Sequence, residues 1–289
     1  MAGCIVPRSE AVMIRSLLAL LMLAATTAVA ADGAKGTFHF GNVHFEPVDA
    51  LAYQDTSGDP AKPLTIVLLA NFKIDRVAAI NAIDTPGALV DQSGKTDGAA
   101  FLVVRVVSKD RCGIYAFLNQ AQRQIDLSNS FAAKGVTVTP SRVAGECATT
   151  KPEKMFDDAY DFDLSYDVPL TTIPKPATLA SGGGEPGAVY AGLVKAIQAA
   201  DWNAAHLLLP PEQVPDKKPK SSEVKGYFHD LGLNYPKTVN VAGGLMKGDN
   251  ARIEISGTNS EGKKIKGTVA MKKIASGWQV VDQSFYGED

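Results

Sequence analysis

The chain has 289 residues, 45% hydrophobic and 21% charged, with a net charge of −2. This composition excludes a wholly disordered chain, a collagen and a multi-span membrane protein, and it gives no general attraction to nucleic acid or anionic membranes. At roughly 150 residues per domain the length suggests two domains.

From Met13 the chain reads Met-Ile-Arg-Ser, then an almost wholly apolar run from Leu17 to Ala25, then Thr26-Thr27-Ala28-Val29-Ala30. A basic start, a short apolar run and an Ala-x-Ala end make residues 1–30 an export signal, with Met13 as an alternative start. The run is short for a membrane span, and no span is expected in the mature chain. The expected location is periplasmic or secreted. Cys4 leaves with the signal. Cys112 and Cys147 remain as an even pair, and a disulfide between them is expected.

Residues 31–168 read as strands. Thr37 to Phe40 and Val43 to Phe45 flank Gly41-Asn42, a two-residue hairpin turn. That register pairs Phe40 with Val43, His39 with His44 and Phe38 with Phe45, with the apolar pairs on one face. Further strands are expected at Leu64–Leu69, Phe101–Val107, Gly113–Phe117, Val136–Thr139 and Tyr160–Val168, with a short helix over Asp75–Ile83. In the last strand Tyr160, Phe162, Leu164 and Tyr166 point inward and Asp161, Asp163, Ser165 and Asp167 outward. The absence of βα alternation favours an all-β sandwich.

Residues 169–185 carry Pro169, Pro174, Pro176 and Ser181-Gly182-Gly183-Gly184, a linker composition. Charge changes sign across it. Residues 31–170 hold 13 Lys and Arg against 18 Asp and Glu, and residues 171–289 hold 14 against 12.

Residues 186–289 change period. Val189, Leu193 and Ile197 fall at helical spacing, Asp201 caps a short helix through Leu208, and Ser221 opens another to Leu231. Four strands follow at Thr238–Met246, Ala251–Gly257, Lys263–Lys273 and Trp278–Phe285. Ile265, Gly267, Val269 and Met271 share one face. Helices followed by an antiparallel meander make an α+β unit.

The long first helix, the Ala-Ala-Asp-Trp-Asn-Ala-Ala turn at 199–205 and the ending Gly277-Trp278-Gln279-Val280-Val281 resemble the NTF2-like (cystatin-like) superfamily, in its small secreted bacterial branch. The resemblance implies a curved sheet wrapped on helices around a cone-shaped pocket. It covers just over a third of the chain and carries no catalytic motif. Residues 31–168 more loosely resemble β-sandwich domains of uncharacterised exported proteobacterial proteins.

Such a cone would draw its pocket lining from Trp202, His206, Tyr227, His229, Trp278 and Asp282. Asp201 or Asp282 with His206 would be its general base. The competing reading is structural, with Asp201 a cap, both tryptophans in the core and His206 at a helix end. His39 with His44 is an incomplete metal pair, and the Asp157–Asp167 stretch lacks the glycine and closing glutamate of a calcium loop. Ser93-Gly94-Lys95-Thr96 lacks the first glycine of a phosphate loop, since position 89 is Leu. No metal or cofactor is expected. The expected function is an exported, non-catalytic binding or interaction protein for a small molecule or an envelope protein. One alternative is an NTF2-pocket enzyme of the hydrolase, isomerase or dehydratase class. The other is an envelope assembly factor using an exposed sheet edge.

Overall fold

A computed structural model describes residues 33–119 and 123–288. The expected export signal, with Cys4 and Met13, lies outside them. The first part forms a ten-stranded sheet. Its strands are β1 (Gly33–Phe40), β2 (Val43–Phe45), β3 (Asp49–Asp55), β4 (Leu64–Ala70), β5 (Ala100–Val106), β6 (Arg111–Leu118), β7 (Arg123–Val138), β8 (Arg142–Ala148), β9 (Glu153–Met155) and β10 (Asp158–Thr171). Two helices, α1 (Arg76–Asn81) and α2 (Thr85–Ser93), connect β4 to β5.

The sequence predicts two facing sheets; the structure has one sheet that closes on itself. The long strand β10 is the reason. One of its edges pairs with β8 from Asp163 to Pro169, and it also pairs with β1 and, in parallel over Leu170 and Thr171, with β3. The circuit β3–β4–β5–β6–β7–β8–β10 is therefore a barrel, which removes the free edges a sandwich would keep. Its interior holds Phe38, Phe45, Phe162, Leu164 and the bonded pair Cys112–Cys147, all shielded from solvent.

Strands β3 to β5 are buried on both faces. Ala52, Val67, Leu69 and Leu102 point into the barrel, while Leu51, Tyr53, Leu68 and Phe101 pack under Ala79 of α1 and Leu89 of α2. That is why β4 and β5 read as continuous apolar runs. The hairpin register Phe38↔Phe45, His39↔His44 and Phe40↔Val43 is as the sequence predicts. So is the alternation in β10, with Tyr160, Phe162, Leu164 and Tyr166 buried.

The second sheet is antiparallel and five-stranded: β11 (Ala177–Leu179), β12 (Thr238–Lys247), β13 (Asn250–Thr258), β14 (Lys264–Ile274) and β15 (Gly277–Gly287), in that order. Helices α3 (Gly184–Gln198), α4 (Trp202–Ala205) and α5 (Val224–Gly232) contribute to its core. Tyr190, Leu193 and Ile197 of α3 meet Ile253, Val269 and Val280 of the sheet. The expected linker 169–185 is shorter in the fold. Residues 169–171 complete β10, 177–179 form β11, and α3 begins at Gly184. Pro169 is tolerated at the end of the β10 ladder, opposite Arg142, where little pairing is lost.

Candidate functional site

The residues expected to line a cone fall in different places: Trp202 and Trp278 are in the core of the second unit with Tyr227 packed against it, Asp282 borders a groove along β15, and His229 borders another beside α5. Trp202 is buried, stacks on His206 with ring centroids 5.3 Å apart and meets Tyr227 edge-on at 5.7 Å. His206 Nδ1 lies 2.8 Å from the Trp202 carbonyl oxygen. The Tyr227 hydroxyl donates to the Gln213 carbonyl, and burial pushes its ionisation up. Trp278 is in the core. Its Nε1 makes no hydrogen bond of normal geometry, but its indole N–H and Lys273 together hold the Glu185 carboxyl below its ordinary range. His229 lies in the last turn of α5.

Asp282 is turned away by the backbone. Plain alternation from Trp278 and Val280 would send it to the helix side. The β14–β15 register shifts after Met271↔Val280, so Ala270 pairs with Asp282 and Val281 is the extra residue of a bulge. Asp282 therefore joins the face opposite the helices and is exposed. Gln283 takes the inward place and accepts from the Tyr190 hydroxyl at 3.1 Å. Asp282 and His206 do not converge.

The outer face of the second sheet meets the two helices of the barrel instead. Lys247 Nζ donates to the Ala82 carbonyl at 2.9 Å, and Asn250 Nδ2 to the Asn81 carbonyl at 3.1 Å. Burial pushes the Asp91 carboxyl of α2 up, and Asp282 and Asp84 push it further against the pull of Lys95. Beside this contact lies a cleft of about 530 Å³ lined from both parts. The barrel supplies Tyr53, Asp55, Ile83, Asp84 and Pro86. The connecting segment supplies Ile173 to Pro176, and the second sheet supplies Leu245, Lys247 and Arg252.

The cleft is electrically divided. Tyr53 is buried; burial raises its hydroxyl pKa, and the charges of Asp55 and Asp84 raise it further. The carboxylates thus cluster on the barrel wall. Lys247 and Arg252 stand on the opposite wall, with Lys175 from the connecting segment also in the lining. Lys247 is only 6% exposed, and burial alone pushes its ammonium pKa down. No His, Cys or Ser–His pair is in the lining, and among the described residues no group of three or more His, Cys, Asp or Glu is placed to hold a metal.

No family model, curated protein or solved structure matches this chain. Its function therefore rests on geometry. The cleft was not legible in sequence, because Tyr53, Asp84, Lys175 and Lys247 are far apart in the chain. The available signal was Lys247 itself, the one charged residue of β12, one position past the strand expected at Thr238–Met246.

Elsewhere, charged side chains of the two sheets are partly exposed and paired. His39 Nδ1 lies 2.9 Å from Asp161, and His44 Nε2 lies 3.0 Å from Glu46. Asp158 pairs with Arg123 and Asp167 with Arg142. Lys263, Lys266 and Lys273 pair with Glu261, Glu288 and Glu185.

Proposed function

We propose that this is an extracytoplasmic, non-catalytic binding protein whose ligand is a small polar molecule held between the barrel and the second sheet. The observation that carries the reading is the cleft itself. It lies where two packed units meet, the usual place for a ligand site, and it combines apolar walls with a few polar groups. The buried Cys112–Cys147 bond supports an oxidising compartment. Helices packed on an antiparallel meander support an NTF2-like reading of residues 186–289, with residues 31–171 as the first domain. The enzyme alternative has less support, because Asp282 and His206 lie on opposite faces of the second sheet.

Native mass spectrometry of the protein taken from its producing cell tests the reading. A small molecule that leaves on denaturation is expected, and a Leu245→Trp variant, which fills the cleft, should arrive without it. A wild-type protein that carries nothing, and binds nothing from a library of polar metabolites, would overturn the proposal.

A second reading, an assembly factor that works through a sheet edge, has one specific observation in its favour. β15 is an edge strand, and a groove of about 580 Å³ along it exposes Leu233, Val281 and Tyr286. Site-specific photo-crosslinking from position 286 in the producing cell tests it. A defined envelope partner, lost in a Val281→Lys variant, supports the reading; no adduct sinks it.

A further inference from the structure

The cleft holds a cation for which the described residues provide no anion. Lys247 is buried, and its hydrogen bond to Ala82 goes to a neutral carbonyl. No carboxylate lies within ion-pair distance of it, nor of Arg252 or Lys175, among the described residues. Burying an ammonium without a counter-charge is costly, and proteins ordinarily compensate it. The charges of Asp55 and Asp84 are felt at Tyr53, and Asp84 also sits over the first turn of α2, beside Gly87.

The register places a second cation beside the first. Leu245 pairs with Arg252 and Lys247 with Asn250, so Lys247 and Arg252 are diagonal neighbours on one face. Such neighbours are about 7–8 Å apart, a separation that one carboxylate or phosphate between them can bridge. Glu254 follows Arg252 on that face but is outside the cleft lining. Lys175 reaches the same space from the connecting segment.

We propose that the cleft binds a small organic or inorganic anion, its carboxylate or phosphate group held by Lys247 and Arg252 with Lys175 beside them. Asp55 and Asp84 on the facing wall then accept from hydroxyl or amino groups of the same ligand. This rests on the cleft being the binding site and names the chemistry it selects.

Isothermal titration of the full chain with three probes tests it: inorganic phosphate, succinate and neutral glucose. Phosphate or succinate should bind and glucose should not; the preferred anion separates a phosphate ligand from a carboxylate one. Arg252→Gln should weaken anion binding about tenfold or more, Arg252→Lys less, and neither should change the melting temperature, because Arg252 is exposed and makes no ion pair among the described residues. Lys247→Met should abolish binding. Circular dichroism of each variant separates lost binding from lost folding. If glucose binds at the cleft and the anions do not, the anion assignment falls while the binding site stands. If no probe binds and native mass spectrometry finds no ligand, both fall. Anion binding unchanged in Arg252→Gln and Lys247→Met would place the anion elsewhere and overturn the assignment.

Discussion

Lys247 of the second sheet donates to the carbonyl of Ala82, the residue that ends α1 in the barrel, at 2.9 Å. Asn250 does the same for Asn81. The last carbonyls of a helix have no partner within it, and a cation there also suits the helix dipole. At the other end of α1, Arg76 donates through two nitrogens to Asp49 and through one of them to the Ala50 carbonyl. The helix is thus a strut, tied to β3 at its start and to the second sheet at its end. The segment that follows it, Ile83 to Pro86, lines one wall of the cleft.

Removing the amine should loosen that strut more than it destabilises the fold. A hydrogen bond from a charged group is worth about 1.5–3 kcal/mol, but Lys247→Met also removes the cost of burying a charge. The net change in global stability should stay within about 1 kcal/mol. Amide hydrogen exchange at Ala79 and Ala82, both bonded within α1, should speed up several-fold. Unchanged exchange in α1 would show that Asn250 and the apolar contacts hold the helix without Lys247.

The Asp49 end of the strut makes an acid-sensitive joint. Burial alone would raise the Asp49 carboxyl, but hydrogen bonds from Arg76, Ile74 and Ala50, with the Arg76 charge, outweigh it and the net shift is downward from 3.8. A carboxyl with a lowered folded value contributes stability that is complete above about pH 4. That contribution is lost as pH falls through the lower folded value. Urea midpoints measured from about pH 5 down to about pH 2 should therefore fall more steeply for the wild type than for Asp49→Asn. The variant should be less stable at neutral pH by about 2 kcal/mol. Parallel pH profiles would show that Asp49 is not part of the acid limb.

In β14, one face meets helices and the other faces outward, so Ile265, Gly267, Val269 and Met271 announce the strand by alternation. Around Tyr53 both faces are covered, and β3 shows no alternation, with Ala50 to Tyr53 all buried. Helix α2 is hidden for a different reason: Pro86 and Gly87 stand in its first turn, and only Thr85, Leu89 and Ser93 of it are buried, too few to announce a helical stripe. At Asp282 the alternation was legible but misleading, since one bulged residue, Val281, exchanges the faces. A bulge is set by pairing with β14, which a single strand does not reveal. The cleft needs one step more, the docking of two separately encoded surfaces.

The disulfide should stabilise the barrel and resist reduction while the barrel is folded. Cys112 in β6 and Cys147 in β8 are 0% exposed and 35 residues apart, with β7 between their strands. On the chain-entropy model a loop of this size contributes about 4 kcal/mol. A Cys112→Ser, Cys147→Ser variant should unfold at lower denaturant, with the loss confined to exchange-protected amides of the barrel. Free-thiol labelling of the native wild type should detect neither cysteine with reductant at neutral pH until denaturant is added. Ready reduction in native buffer would mean the barrel opens locally at β7.

A substitution in α3 separates helix propensity from packing. Gly187 lies one turn into the helix, where alanine is ordinarily better than glycine by about 1 kcal/mol. Here a Cβ on Gly187 would stand 2.1 Å from the Gly182 carbonyl oxygen and 3.2 Å from Val241 Cγ1. The close neighbour is backbone, and Gly182 N is itself bonded to the Val241 carbonyl, so it cannot yield without disturbing β12. Gly187→Ala should therefore destabilise the second unit, by about 1–3 kcal/mol as overpacked sites do. Gly192, in the same helix with open space around its Cβ position, is the control: Gly192→Ala should stabilise by about 1 kcal/mol. Chemical denaturation of the two variants gives opposite signs if the approach of α3 to the Gly182 turn is as close as the structure has it. The same sign for both would leave propensity alone in control and refute the tight packing of that helix start.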